Sequence, residues 1–443
     1  MEPNPIRMRF VIVETMITGM KKDSRGITMP RDGDLVQTPE NKKQMTSHAT
    51  GLLVRLARHL PVGSIRIIGP DGHMHKVAGP NPGPHAELHI HNERCIRRFM
   101  IGGMLGFNEA YLDEDWSSPD ITALFDYALA NEKAMSDVLQ GKGWYRFLSG
   151  LGHMFRRNTR KGSRKNISAH YDLGNAFYKA WLDPSMTYSS ALFADPDRPD
   201  PAENLTTAQA RKYDHLAQQL QLTEGMHVLE VGCGWGGFAE YAASERGLTV
   251  TGLTLSKEQL DFAQERIAQK GLQDKVVFKL QDYRDEKGIY DGIASIEMFE
   301  AVGEKYWPKY FETLRKCLKP GGSATLQIIT VRDDRWDIYR RGVDFIQKYI
   351  FPGGMLPSPS ALLTEVDRAG LQFQKSIEFG QSYSQTLRRW YQDFNKKWDQ
   401  VADLGFDSRF RRMWNLYLTS CASTFASGNC DVTQITVSNQ KPN

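Results

Sequence analysis

Beyond residue 225 the chain switches repeatedly between two spacings of apolar side chains. Short apolar runs at 228–231, 248–253, 275–280, 292–296 and 323–329 are strand-like. The segments that separate them, at 237–245, 257–270 and 306–317, carry apolar residues every three to four positions and predict helices. Strict alternation of the two predicts a parallel sheet wound on both faces, the α/β class. Two further helical patterns across 381–426 precede a last strand at 431–437, an insertion placed to roof the sheet as a helical lid.

Upstream the pattern differs. Residues 1–46 mix basic, Pro and Gly positions without sustained periodicity and read as a tail. From residue 47 a helical pattern runs through Leu52, Leu53, Leu56 and Ala57. Alternating stretches at 64–68 and 73–77 flank Pro70-Asp71-Gly72, a hairpin signal, and helical patterns follow at 93–107 and 119–139. Residues 47–140 are therefore expected to form a small α+β domain, and 167–443 the main α/β domain. Between them, 141–166, Trp144, Tyr145, Phe147, Leu148, Leu151, Met154 and Phe155 precede Arg156, Arg157, Arg160, Lys161, Arg164 and Lys165. Two readings stay open. One is a solvated basic linker attached to a docked helix; the other is an interfacial segment whose cations face anionic lipids at ~1 kcal/mol each.

Composition narrows the class. A length of 443 residues, 40% hydrophobic and 24% charged, describes a globular chain of two or three domains and excludes collagenous, disordered and disulfide-framework proteins. The formal charge is only +4, which does not favour a nucleic-acid partner. No apolar run is long enough to span a bilayer: the best, 8–20, is interrupted by Glu14, and it lacks a small-residue cleavage site. Cys95, Cys233, Cys317, Cys421 and Cys430 are scattered without a C-x-x-C pair, so no metal site is expected and a reducing, cytoplasmic compartment is.

The chemistry is concentrated after the first strand of the main domain. Glu230-Val231-Gly232-Cys233-Gly234-Trp235-Gly236-Gly237 is a glycine-dense strand-to-helix turn. Gly232 and Gly234 permit positive φ and remove Cβ atoms, so backbone can approach a ligand at the carboxyl end of the strand. The spacing is not G-x-G-x-x-G, and no Lys-Ser/Thr follows to make a phosphate loop. This form resembles the first motif of S-adenosylmethionine (SAM) dependent methyltransferases. Gln281-Asp282-Tyr283 after the third strand and Leu318-Lys319-Pro320-Gly321-Gly322 before the fifth stand where such enzymes commonly have an adenine-holding pair and a turn.

A closer resemblance begins near residue 168. Ala169-His170-Tyr171-Asp172-Leu173-Gly174-Asn175, Met186-Thr187-Tyr188-Ser189-Ser190, Gly252-Leu253-Thr254-Leu255-Ser256, Met298-Phe299-Glu300, Lys348-Tyr349-Ile350-Phe351-Pro352-Gly353-Gly354 and Leu387-x-x-Trp390-Tyr391 follow one another in order. Over roughly 270 residues the chain resembles the cyclopropane fatty acid synthases and related lipid C-methyltransferases. The resemblance implies a Rossmann-like class I SAM-dependent methyltransferase, acting at the cytoplasmic, inner face of a membrane on unsaturated phospholipid acyl chains. An acyl tunnel would lie beneath the lid.

The implied reaction is methyl transfer from SAM to an alkene, then proton loss as a cyclopropane ring closes. The cation formed on the way must be kept from water, faced by aromatic rings and given a weak base. In the family that base is bicarbonate, held by Glu, His, Tyr and backbone amides. By resemblance the catalytic residues here are Glu300, Tyr391, Gln327, Ser190 and Ile329. The cofactor would be held by Tyr188, Ser189, Gly232, Gly234, Thr254, Leu255, Gln259, Asp282 and Tyr283. Gln327 stands where His is common and Ser190 where Cys is common; Gln donates a hydrogen bond but cannot titrate. An alternative product is therefore a methyl-branched or methylene chain without ring closure, and a saturated branch would require a reductase partner. A homodimer is a further expectation, and a non-catalytic SAM- or lipid-binding module and a methyltransferase for a soluble small molecule are the remaining alternatives.

Overall fold

The computed structural model describes residues 48–135 and 173–439, all within one compact unit. The tail, the 141–166 segment and the His170-Tyr171 pair lie outside the described residues.

The main sheet has seven strands: β5 (His227–Val231), β6 (Thr249–Thr254), β7 (Val276–Leu280), β8 (Tyr290–Ile296), β9 (Leu318–Val331), β10 (Gln372–Glu378) and β11 (Cys430–Ser438). Their spatial order is β10-β11-β9-β8-β5-β6-β7. The five strands from β9 through β7 are parallel, whereas β11 runs antiparallel to both of its neighbours, β9 and β10. The sheet is thus mixed and not wholly parallel as the alternation predicted. The reason is that β11 does not return through a crossover helix from β10; it comes back through the lid helices and inserts beside β9 from the opposite direction. The central strands β5 and β8 are almost continuously buried, as strands covered on both faces must be.

The helices follow their caps. Asn204 accepts from Thr207 N–H to start α5 (Leu205–Leu220), Ser256 accepts from Gln259 N–H to start α7 (Lys257–Gln269), and Asp407 accepts from Phe410 N–H to start α13 (Ser408–Ala426). Helix α6 (Gly237–Glu245) leaves the glycine turn, and α8 (Trp307–Cys317) begins with Pro308 in its first turn. Helices α9 (Asp333–Tyr339) and α10 (Pro359–Arg368) follow β9. The lid comprises α11 (Gly380–Lys396), α12 (Trp398–Ala402) and α13, and α4 (Asn175–Trp181) packs on α11 and α12.

The N-terminal part contains α1 (His48–Ala57), β1 (Val62–Ile68), β2 (Met74–Ala78), β3 (Asn81–Ile90), α2 (Arg94–Leu112), β4 (Trp116–Ser117) and α3 (Ile121–Ala130). β1 and β2 form the expected hairpin. β3, which the pattern did not predict because Pro82, Gly83 and Pro84 open it, pairs parallel with β1. One apolar core joins this part to the lid: Leu88, Tyr111, Trp116 and Phe125 belong to the same buried cluster as Trp181, Trp390, Phe394 and Trp414.

Candidate active site

A cavity opens at the carboxyl ends of β5 and β6. Every residue expected to hold the cofactor lines it except Asp282. Gly232 and Gly234 have φ of 84° and 51°, and a Cβ on Gly232 would come within 2.7 Å of the Met298 side chain. Nothing lies within 4 Å of the corresponding point above Gly234, which leaves the approach a ligand needs. Thr254 donates its hydroxyl to Gln259 Oε1 at 3.0 Å and accepts Ser256 N–H at 3.1 Å, so both polar side chains are fixed at the strand end. Tyr188 packs in tilted and edge-on contacts among Tyr178, Trp181 and Trp390 and shares a hydroxyl hydrogen bond of 2.9 Å with Tyr417. Asp282 is turned instead onto Arg284, which grips it through Nε at 2.8 Å and Nη2 at 2.6 Å, leaving Tyr283 and Gln281 at the wall.

These features fit SAM. Glu230 lines the cavity with Oε2 buried and without a hydrogen-bond partner, and burial holds its carboxyl well above the usual carboxylate range. A ligand ammonium would satisfy that oxygen.

Beside this cavity lies a second cluster, and its centre is a residue the sequence reading did not single out. Glu297, at the end of β8, receives three hydrogen bonds. Ser190 N–H donates to Oε1 at 2.8 Å, Gln327 Nε2 donates to the same oxygen at 2.8 Å, and the Tyr383 hydroxyl donates to Oε2 at 2.7 Å. Gln327 is held in that orientation because Gln434 Nε2 donates to its Oε1 at 3.0 Å, and Gln434 Oε1 in turn meets His215 Nδ1 at 2.6 Å. Glu300 sits one turn further on. Its Oε1 accepts Ile329 N–H at 2.6 Å, while its Oε2 is sealed from solvent without a partner. Burial, with the Glu297 charge adding to it, pushes Glu300 up to about 8.

Of the expected catalytic residues, Ser190, Gln327, Ile329 and Glu300 are therefore brought together. Tyr391 is not. It lies on the same helix as Tyr383, in surroundings where Arg411 and Asp120 act on it. On an α-helix a residue seven positions on returns to nearly the same face, and one eight positions on is turned by roughly 80°. Thus Trp390 packs against Tyr383 at 6.2 Å between centroids, and Tyr391 points elsewhere.

Lys212 was also missed. It is wholly buried on α5 and donates to Ser189 Oγ at 2.6 Å; burial draws its ammonium down to about 7 against the opposing pull of Glu297, Asp183 and Glu230. The signal was present, since Lys212 falls on the buried stripe of Leu205, Ala208, Gln209, Leu216 and Leu220. For Glu297 the signal was a second glutamate three residues before Glu300.

The donor set does not fit bicarbonate. Ser190 N–H, Gln327 Nε2 and Tyr383 are engaged by Glu297 and Ile329 N–H by Glu300, so the groups that would hold the ion already hold carboxylates of the chain.

Residues 158–435 match the family model for mycolic acid cyclopropane synthetase. The chain is 38% identical over 399 residues to tuberculostearic acid methyltransferase UfaA1 of Mycobacterium tuberculosis, covering 89% of this chain and 91% of that one. It is 35% identical over 358 residues to the cyclopropane-fatty-acyl-phospholipid synthase of Escherichia coli, covering 80% and 88%. Among solved structures it is similar to mycolic acid cyclopropane synthase CmaA1 complexed with SAH and CTAB, with a TM-score of 0.57 and 31% identity over 62% of this chain and 98% of that one. With the mixed seven-stranded sheet, the glycine turn and the fitted cavity, these likenesses show that the chain belongs to the mycolic acid cyclopropane synthetase family and is a SAM-dependent methyltransferase.

Proposed function

We propose that the enzyme methylates the double bond of an unsaturated acyl chain in a phospholipid, giving first a methylene- or methyl-branched chain, with cyclopropane formation as the second reading. The observation that carries the reaction is a buried carboxylate, Glu297, held by Tyr383, Gln327 and Ser190 N–H on the wall of the cofactor cavity, and the likeness to lipid-modifying relatives supports the substrate class. The likeness to a tuberculostearic acid methyltransferase across nine-tenths of both chains supports the branched product, as does Gln327 in place of a titrating His. The likeness to the Escherichia coli synthase supports the ring.

Gly232, Gly234, Thr254, Gln259 and Tyr283 would hold SAM, with Glu230 toward its ammonium. When bound, SAM supplies a sulfonium methyl that the alkene takes up, leaving a cation on the adjacent carbon of the chain. Tyr188 and Trp235 line the cavity, with Tyr178, Trp181 and Trp390 packed against Tyr188 behind it; aromatic rings there stabilise positive charge without adding a nucleophile and keep water away. Glu300, Gln327, Ser190 and Ile329 frame the place where the departing proton is received. Loss of that proton from the new methyl gives a methylene after hydride migration, or a ring if the carbon–carbon bond closes instead. A saturated branch then needs a hydride from a separate reductase.

Expression in a host that makes monounsaturated but no cyclopropane acyl chains tests this directly. A mass gain of one CH2 in the phospholipid acyl chains is expected, and hydrogenation followed by fragmentation separates a methylene from a ring. No modified lipid would overturn both readings. Among the described residues no helix is long and apolar enough to cross a membrane.

A further inference from the structure

We propose that Glu297 is the catalytic base of this enzyme, a carboxylate of the chain standing where an external bicarbonate would otherwise sit, so that turnover needs no added anion. The inference rests on the lipid reading above but concerns a separate property of the same site.

Three observations converge on it. The first is occupancy. A carboxylate has about four acceptor positions, and Glu297 uses three of them, on Ser190 N–H, Gln327 Nε2 and Tyr383. One lone pair is left for a proton, and Glu297 lines the cofactor cavity, which Glu300 does not.

The second is backbone conformation. Glu297 has φ of 49°, one of only four non-glycine residues with positive φ among those described. That region disfavours any residue with a Cβ, and such strain persists where the surroundings hold it for a purpose. Here the left-handed turn is fixed by Glu297 N–H donating to Gln327 O at 2.8 Å, so Gln327 grips this residue through both backbone and side chain.

The third is charge. Burial raises the Glu297 carboxyl above the usual carboxylate range, which suits it to take up a proton, while Tyr383, the nearby buried Lys212, Ser190 N–H and Gln327 pull the other way and keep the ionised form accessible.

The step balances without another reactant. The C–H bond of the transferred methyl breaks, its electron pair neutralises the cation on the acyl chain, and the proton passes to a Glu297 oxygen. A positive chain and a negative carboxylate become a neutral product and a neutral carboxyl group, which then returns the proton to solvent.

The test uses the full-length protein with SAM and vesicles of dioleoyl phosphatidylglycerol and dioleoyl phosphatidylcholine, in buffer freed of carbon dioxide, reading SAH release and acyl-chain mass. Wild-type turnover is expected to change by less than about twofold when millimolar bicarbonate is added. Glu297→Gln should lose about 100-fold or more, the scale of a missing general base. Glu297→Gly removes the carboxylate and the positive-φ strain together, so the fold is retained; it should be equally slow without bicarbonate and recover about tenfold or more with bicarbonate or formate, which can enter the vacated donor set. SAM affinity measured by calorimetry should stay within about threefold in both variants, since a residue acting only on the proton adds no ground-state binding. Wild-type activity that falls on bicarbonate removal, or a Glu297→Gln enzyme near the wild-type rate, would overturn the assignment. A wild-type enzyme that releases no SAH in either buffer would instead overturn the lipid reading beneath it.

Discussion

Two glutamates three positions apart sit in different environments. Glu297 is solvated by three donors, whereas Glu300 has one, from Ile329, and a bare second oxygen. A carboxyl raised to about 8 is largely protonated at neutral pH, so glutamine is close to an isostere of its resting form. Glu300→Gln is therefore expected to cost no more than about tenfold in turnover, against the much larger loss at Glu297. The same shift sets a pH dependence of stability. A carboxyl whose folded pKa lies above its unfolded value binds more protons when folded, so the fold loses stability as pH rises from about 4.5 through 8. Glu300→Gln removes that slope; its melting temperature should match wild type near pH 5 and exceed it by pH 9, by about 2–4 kcal/mol in the underlying free energy. A thermal melt series across that range decides it. The two tyrosines of α11 supply a second comparison. Tyr383→Phe deletes a charge-directed hydrogen bond to Glu297 and should lower kcat by about 10- to 100-fold. Tyr391→Phe, in other surroundings, should stay within about threefold, an expectation that equal losses in the two variants would refute.

At the scale of elements, the glycine turn between β5 and α6 is the most tightly specified piece. A Cβ on Gly232 meets Met298 and must also adopt positive φ, so Gly232→Ala is expected to weaken SAM binding at least tenfold and to destabilise by about 1–3 kcal/mol. Calorimetry and denaturant unfolding read the two effects separately. This turn was legible in the sequence because its constraint is local: strand, glycines and helix are contiguous. The strands β5 to β9 were legible for the same reason, being apolar runs bounded by helical patterns. β10 was not, since Gln372, Gln374, Lys375 and Glu378 make an edge strand, exposed along most of its length, that carries no apolar alternation. The orientation of β11 was also hidden, because direction depends on how the lid returns the chain and not on any property of residues 430–438. Tyr383 and Glu297 share that fate: each is ordinary in its own segment, and only the meeting of β8, β9 and α11 reveals them.

Across the whole molecule, the N-terminal layer is bound to the catalytic layer by shared core and by ion pairs. Glu109 takes Lys348 and the Tyr349 hydroxyl, Asp126 takes Arg388, and Glu132 takes Arg335 together with Asn429 Nδ2 at 3.0 Å. The Arg335 guanidinium holds Glu132 below the usual carboxylate range. A lowered folded pKa gives stability that is present above the unfolded value and lost as pH falls through the folded one. Glu132→Ala should therefore cost about 0.5–1 kcal/mol at pH 7, the pair being part-exposed, and the difference from wild type should vanish below about pH 4. Unfolding should remain a single transition in that variant, because Trp116 and Phe125 share one buried cluster with Trp390 and Trp414. Two separate transitions would show that the layers fold apart.

The place of β11 within the sheet has a consequence for how the protein is made. This strand, residues 430–438, lies between β9 and β10, and Gln434 on it fixes the amide that grips Glu297. During translation every other strand of the sheet leaves the ribosome before it. A nascent polypeptide halted ahead of residue 430 would hold an unzipped gap beside β9 and an unanchored Gln327, so under the proposed role of Glu297 a chain terminated there is expected to release no SAH.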